Sequence, residues 1–124
     1  MHYKNDLCHR LLYFSADVIQ FSRNLPKSQE FEIIKYQLIK SATSVGANYQ
    51  ESQSASSTAD FKNKIRISLK EISETSYWIQ LVKLIQEKSA KNPNTIPILQ
   101  ESKELEKILG RINQTIRKKR NIKH

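Results

Sequence analysis

Apolar side chains recur over the first stretch of the chain at Leu7, Leu11, Phe14, Val18, Phe21 and Leu25, in alternating steps of four and three. Because about 3.6 residues complete a helical turn, this spacing keeps them on one stripe and predicts a helix over 4–24. It should stop at Asn24 to Pro26, since proline disfavours the α conformation in the residue before it and has no N–H to donate backwards. Ser28 can cap the next helix. Phe31, Ile34, Leu38, Ala42, Val45 and Tyr49 form its stripe over 29–53, which fades into the serine-rich turn Ser52 to Ser57.

Ser57-Thr58-Ala59-Asp60 has the form of a capping box. The serine oxygen accepts a backbone N–H, and the carboxylate returns to the cap and complements the positive helix end. A third helix over 57–89 follows, with Phe61, Ile65, Ile72, Ile79 and Val82 on one row and Ile67, Trp78, Leu81 and Ile85 on another. Two partly apolar sides exceed what one bundle neighbour needs, so the pattern predicts either a wide core contact or an oligomer interface. Asn92-Pro93-Asn94 breaks the chain, and Pro97 suits a first helical turn. Ile98, Leu105, Leu109, Ile112 and Ile116 mark a fourth helix over 96–119, in which Gly110 costs about 1 kcal/mol relative to alanine if exposed but could permit close helix approach. Short connections make successive helices antiparallel. The expected fold class is therefore all-α, an antiparallel up-and-down four-helix bundle in one domain over 1–124, with a basic tail over 117–124 that frays at its end.

Composition agrees with long elements: the chain has 124 residues with only two glycines and three prolines, too few turn formers for many short strands. The lone Cys8 cannot form an intramolecular disulfide and reads as a small buried residue in a reducing compartment. No run of about 18 apolar residues is present to span a bilayer, and the segment after Met1 is too interrupted for a signal peptide. These features predict a cytoplasmic protein without membrane partners.

Charge is more informative in its distribution than in its total of +9. Residues 1–61 carry six basic and six acidic side chains, whereas residues 62–124 carry fifteen basic and six acidic, so the whole excess lies in the second half. Lys62, Arg66 and Lys70 repeat every four residues along the third helix, and Lys103, Lys107 and Arg111 do so along the fourth. Read as two straight cationic stripes, extended by Arg117, Lys118, Lys119, Arg120 and Lys123, they suit the phosphates of RNA or DNA. The bland reading is a solvated surface relieved by Glu74, Glu104 and Glu106 through pairs worth tenths of a kcal/mol. Point charges without a base-reading motif predict binding that is largely sequence-independent and salt-sensitive.

Asn48 falls on the inward stripe of the second helix, where a buried amide must be paired. Glu51, Glu71 and Glu74 are its expected companions in a structural polar cluster, with Arg66 or Lys70 as counter-charge. The sharper alternative, a carboxylate metal site or acid/base pair, lacks support. A ferritin-like di-metal bundle needs Glu-x-x-His steps, and the histidines are only His2, His9 and His124. No zinc spacing, phosphate loop or cysteine–base pair occurs, so no metal, cofactor or catalytic residue is expected. A terminal Arg117/His124 pair of ribonuclease type is the one enzymatic reading left, and a catalytic base at the last residue lacks a held geometry.

The stretch Ser41 to Trp78 carries Ser44-Val45-Gly46-Ala47-Asn48, Glu51, Asp60-Phe61, and Lys70-Glu71 with Glu74, Tyr77 and Trp78. In that order and spacing it resembles the bacterial four-helix bundle family of 23S rRNA-intervening sequence proteins, as does Leu25-Pro26 after the first helix. The resemblance implies an up-and-down bundle assembled as a ring-like homopentamer with no established enzymatic activity. A related member, the accessory variability determinant of diversity-generating retroelements, forms a basic pentameric barrel that binds nucleic acid and a reverse transcriptase. Gln50-Glu51 is followed here by Ser52 and Ala55 where the family often has glycine and a nearby arginine. The expected function is a non-catalytic, oligomeric nucleic-acid-binding protein, ahead of a structural or protein-adaptor bundle using its second apolar face, and then of the terminal ribonuclease.

Overall fold

The computed structural model describes residues 3–88 and 94–122, with side chains over 6–88 and 94–119. His2, Asn92, Pro93, Lys123, His124 and the side chain of Arg120 lie outside the described residues. Four helices account for nearly all of the rest: α1 (Tyr3–Arg23), α2 (Gln29–Ser52), α3 (Thr58–Glu87) and α4 (Thr95–Ile122). No strand occurs among the described residues.

Seven of the eight helix limits agree with the spacing to within two residues, and the caps of α2 and α3 explain two of them. Ser28 takes an extended backbone and its hydroxyl accepts from the N–H of Phe31 at 3.3 Å. Ser57 does the same for the N–H of Asp60 at 3.0 Å, so it is the cap and not the first helical residue. The Asp60 carboxylate returns to the N–H of Ser56 at 3.4 Å, one residue before the position a capping box requires. The fourth helix departs further. It continues to Ile122, three residues past the expected end, through Arg117, Lys118 and Lys119. Lysine and arginine are good helix formers and complement the negative end of the helix dipole, so the basic segment prolongs the helix before any tail begins.

Cross-helix contacts fix the topology. Leu11 and Ser15 on α1 meet Gly46 and Ala42 on α2. Ser68 and Thr75 on α3 meet Val45 and Ser41 on α2. Ser76 on α3 meets Ser102 on α4, and Arg10 on α1 meets Glu101 on α4. Along α1/α2 and α2/α3 one number rises while the other falls, and Gln86–Thr95 with Ser76–Ser102 does the same along α3/α4, so the bundle is antiparallel and up-and-down. The diagonal pairs α1/α3 and α2/α4 do not approach, and α1/α4 is the loosest seam.

One continuous core fills the centre, drawn from Leu11, Phe14, Val18 and Phe21 on α1, Ile34, Leu38 and Val45 on α2, Ile65, Ile72, Ile79 and Val82 on α3, and Leu105 and Leu109 on α4. Burying each large side chain stabilises the fold by about 1.5–3 kcal/mol. The seams between helices use small hydroxyls: Ser68 donates to the Val45 carbonyl at 2.9 Å, Thr75 to Ser41 at 2.9 Å, and Ser76 shares a 2.7 Å bond with Ser102. These side chains let helices approach closely while satisfying their own polar atoms. Gly110 plays no such part, because a Cβ there would meet nothing within 4 Å. Gly46 is the glycine beside a neighbouring helix, where a Cβ would lie 3.5 Å from that of Leu11, an ordinary contact.

Candidate nucleic-acid interface

Antiparallel packing brings the start of α3 beside the end of α4. Lys62 and Arg66, one turn apart on α3, face Asn113, Ile116 and Arg117 on α4 around a cleft of about 290 Å³. Lys62 is half-buried, while Arg66 and Arg117 are exposed. Among the described residues, no carboxylate lies within ion-pair distance of any of the three. Five other cations of the bundle are matched, Lys35 with Glu32, Lys64 with Glu51, Lys83 with Glu87, Lys103 with Glu106, and Arg10 with Glu101, whereas the exposed Lys70, Lys107, Arg111, Lys118 and Lys119 are, like the three at the cleft, outside ion-pair distance of a carboxylate among the described residues. A cleft that gathers three unmatched cations carries a local cost, since like charges at i,i+4 destabilise a helix by about 0.2–0.5 kcal/mol. An anion in the cleft would reverse the sign of that cost.

The two rows of basic residues are not straight stripes. Four residues turn about 400°, so each step carries a row about 40° further round its helix. Lys62 therefore starts at the α4 seam and Lys70 ends exposed. On α4, Lys103 starts beside Glu106, which also accepts from Ser76 on α3 at 3.1 Å. Lys107 and Arg111 then turn outward, exposed and outside the cleft. Lys118 and Lys119 are exposed on the last turns of α4. Sequence spacing assigns Lys62, Arg66 and Arg117 to one basic surface, and the structure brings these three together. The same spacing joins Lys103, Lys107 and Arg111 to them as a second wall, and they do not line that cleft. It misses Asn113, an amide able to donate to an anion, and it does not show that Ile116, which packs against the core, is also half-buried at the cleft. Their signal is positional: Asn113 and Arg117 are one turn apart on α4, as Lys62 and Arg66 are on α3.

The expected polar cluster dissolves into separate local pairings. Asn48 donates to the carbonyl and hydroxyl of Ser44 at 2.9 and 3.0 Å, one turn back on its own helix. Glu51 takes Lys64, rather than Arg66 or Lys70, at 3.1 Å. Glu74 accepts from the Trp78 indole at 3.1 Å. Neither Asn48 nor any of the three glutamates, Glu71 included, is bonded to another of the four among the described residues. Asn48 is half-buried and has a near partner, so nothing compels the glutamates to turn inward.

A second cavity, of about 310 Å³, opens at the loose α1/α4 seam, with Asp17 and Glu101 at its edge and Phe14, Phe21 and Ile98 below. Its carboxylates oppose a phosphate, which directs attention to the α3/α4 cleft. Glu101 is already engaged by the Arg10 guanidinium through two bonds of 2.8 and 2.7 Å, and this pairing raises the arginine further above its ordinary range. Burial pushes up the Cys8 thiol, and burial together with the neighbouring Cys8 pushes up the Tyr49 hydroxyl. Among the described residues, no group of three or more His, Cys, Asp or Glu side chains could hold a metal ion. No helix of the described residues is long and apolar enough to cross a membrane.

The second apolar row of α3 is only partly covered. Ile67, Trp78, Leu81 and Ile85 are half-buried, and Tyr77 stands 57% exposed with its ring edge-on to Trp78 at 5.0 Å. Ile33 and Tyr36 on α2 are also exposed.

Fold and surface together define a basic, antiparallel four-helix bundle. A family model for the 23S rRNA-intervening sequence protein matches residues 4–115, and the chain belongs to that family. It is also similar to a solved structure from Bacteroides thetaiotaomicron, a protein of unknown function from the S23 ribosomal protein family. The two share 33% sequence identity with a TM-score of 0.77, over 91% of this chain and 99% of the other. Comparison with curated proteins gave no match. Lys62, Arg66 and Asn113 fall within the matched region, and Arg117 lies just beyond it.

Proposed function

We propose that this protein is a non-catalytic, oligomeric nucleic-acid-binding protein of the cytoplasm, which holds RNA or DNA through the α3/α4 basic face with little regard to sequence. The observation that carries this reading is the convergence of Lys62, Arg66 and Arg117 on one cleft without an ion-pair partner among the described residues. Lys70, Lys107, Arg111, Lys118 and Lys119 are exposed on the same two helices and extend the positive surface. Backbone phosphates are the common anion for such a surface, and counterion release makes the binding steeply salt-dependent. Association into an oligomer, a homopentamer by the family resemblance, would bury the α2/α3 face around Tyr77 and Trp78 and repeat the basic face in each subunit.

The aromatic pair of exposed Tyr77 and half-buried Trp78 also supports a second reading, in which that face recruits another protein and the basic surface serves solubility. Titration of labelled RNA and DNA at low and near-physiological salt separates the two. Submicromolar binding that weakens steeply with salt supports the nucleic-acid reading, and failure to bind either polymer at physiological salt supports the adaptor.

A further inference from the structure

We infer that the α3/α4 cleft is a receptor for a terminal phosphomonoester, so that the protein prefers phosphorylated ends of nucleic-acid strands to their interiors. The inference rests on the nucleic-acid reading above and adds a substrate class to it. It starts from the contrast between two kinds of basic residue. Lys70, Lys107, Arg111, Lys118 and Lys119 are exposed and outside the cleft, where they can follow a strand passing over the surface. Lys62, Arg66 and Arg117 instead converge on a concavity of about 290 Å³.

Charge decides what fits there. An internal phosphodiester carries one negative charge, whereas a terminal phosphomonoester carries about −1.5 to −2 near neutral pH and offers three strong acceptor oxygens. Three cations converging on one cleft match the monoester better than the diester. Geometry agrees with charge. A diester must continue in both directions and is served by an exposed row, whereas a chain end can enter a cleft and stop. The two guanidiniums provide forked donors suited to phosphate oxygens, Lys62 adds a point charge, and the Asn113 amide adds a neutral donor. Ile116 gives the same cleft an apolar wall against which the terminal sugar can rest. The cavity at the α1/α4 seam has the opposite chemistry, since Asp17 and Glu101 line it.

The test compares three oligonucleotides of one sequence with an internal fluorophore: one with a 5′-phosphate, one with a 3′-phosphate and one with hydroxyls at both ends. Anisotropy titrations against the full chain at a single salt concentration should show about tenfold tighter binding of at least one phosphorylated form, the scale of one additional charge-assisted hydrogen bond. Which end wins identifies the source of the monoester. Arg66→Gln and Arg117→Gln should each reduce that ratio towards one. Lys118→Gln with Lys119→Gln should weaken all three oligonucleotides alike and leave the ratio intact. Circular dichroism confirms that each variant is folded, and these exposed positions make loss of the fold unexpected. Equal affinity for all three oligonucleotides overturns the end preference while leaving the basic-surface reading in place. Absence of binding to any of them overturns both.

Discussion

The α3/α4 seam that positions the cleft contains a chain of hydrogen bonds whose members should differ measurably in what their loss costs. Ser76 is 1% exposed and Ser102 is 0% exposed, and their hydroxyls are 2.7 Å apart; Ser76 also lies 3.1 Å from the Glu106 carboxylate, which Lys103 approaches to 3.6 Å. Ser76 can therefore donate to the carboxylate while accepting from Ser102. Replacing Ser102 with alanine removes one neutral bond but leaves Ser76 with its charged acceptor, a loss of about 0.5–1.5 kcal/mol. Replacing Ser76 takes the donor from Glu106 and the acceptor from Ser102 together. The buried Ser102 hydroxyl is then without its partner, so the cost should reach about 1–3 kcal/mol. Urea unfolding followed by helix circular dichroism and by Trp78 fluorescence measures both, at one fixed protein concentration so that any association weighs equally on every variant. The expected order is Ser76→Ala more destabilising than Ser102→Ala, with the double variant less destabilising than Ser76→Ala because the orphaned Ser102 hydroxyl is gone. If Ser102→Ala costs as much as Ser76→Ala, the assigned direction of the bonds is wrong.

Gly110→Ala should stabilise the protein by about 0.5–1 kcal/mol, since alanine is the better helix former and its Cβ would enter open space; a lower urea midpoint would contradict that geometry. Arg10→Ala should cost less than about 1 kcal/mol despite its two short bonds to Glu101, because the side chains are 39% and 34% exposed and water screens the pair; a loss several times larger would refute that discount. The raised Cys8 and Tyr49 groups bind their protons more tightly in the folded state than in the unfolded one. Their contribution to stability is present in full below the unfolded pKa values and is lost as pH rises through the folded ones, so the urea midpoint should fall from about pH 8.5 upward, and Cys8→Ala should remove the thiol's share of that fall.

Much of the fold was legible because apolar spacing and serine caps are local signals. The stripe from Leu7 to Leu25 and the caps Ser28 and Ser57 needed no knowledge of neighbouring helices. The hydroxyl seams are harder to see, because serine and threonine read as polar and fall outside an apolar core. Their trace is nevertheless present in the jumps of seven from Ile65 to Ile72 to Ile79 and from Ile98 to Leu105, whose missing steps are occupied by Ser68, Thr75, Ser76 and Ser102. The partners of Asn48 were not legible, because a stripe indicates a direction, whereas the amide finds a carbonyl one turn away on its own helix. The basic face was legible in composition but not in shape. Regular four-residue steps look straight in sequence and wind on a helix, so only the antiparallel register shows Arg117, and not Lys107 or Arg111, beside Lys62 and Arg66.

The measurement that bears most directly on the central reading is the salt dependence of RNA and DNA binding, with mass by light scattering on the same sample, for the native chain and a Lys62→Gln, Arg66→Gln, Arg117→Gln variant. Each phosphate contact adds about 0.7 to 0.9 to the slope of log affinity against log salt, so the variant should lose about 2 to 3 from it while remaining an oligomer of unchanged mass. An oligomer whose binding is weak at physiological salt, or whose slope is unchanged by the three substitutions, would contradict the assignment of the α3/α4 cleft as the nucleic-acid site.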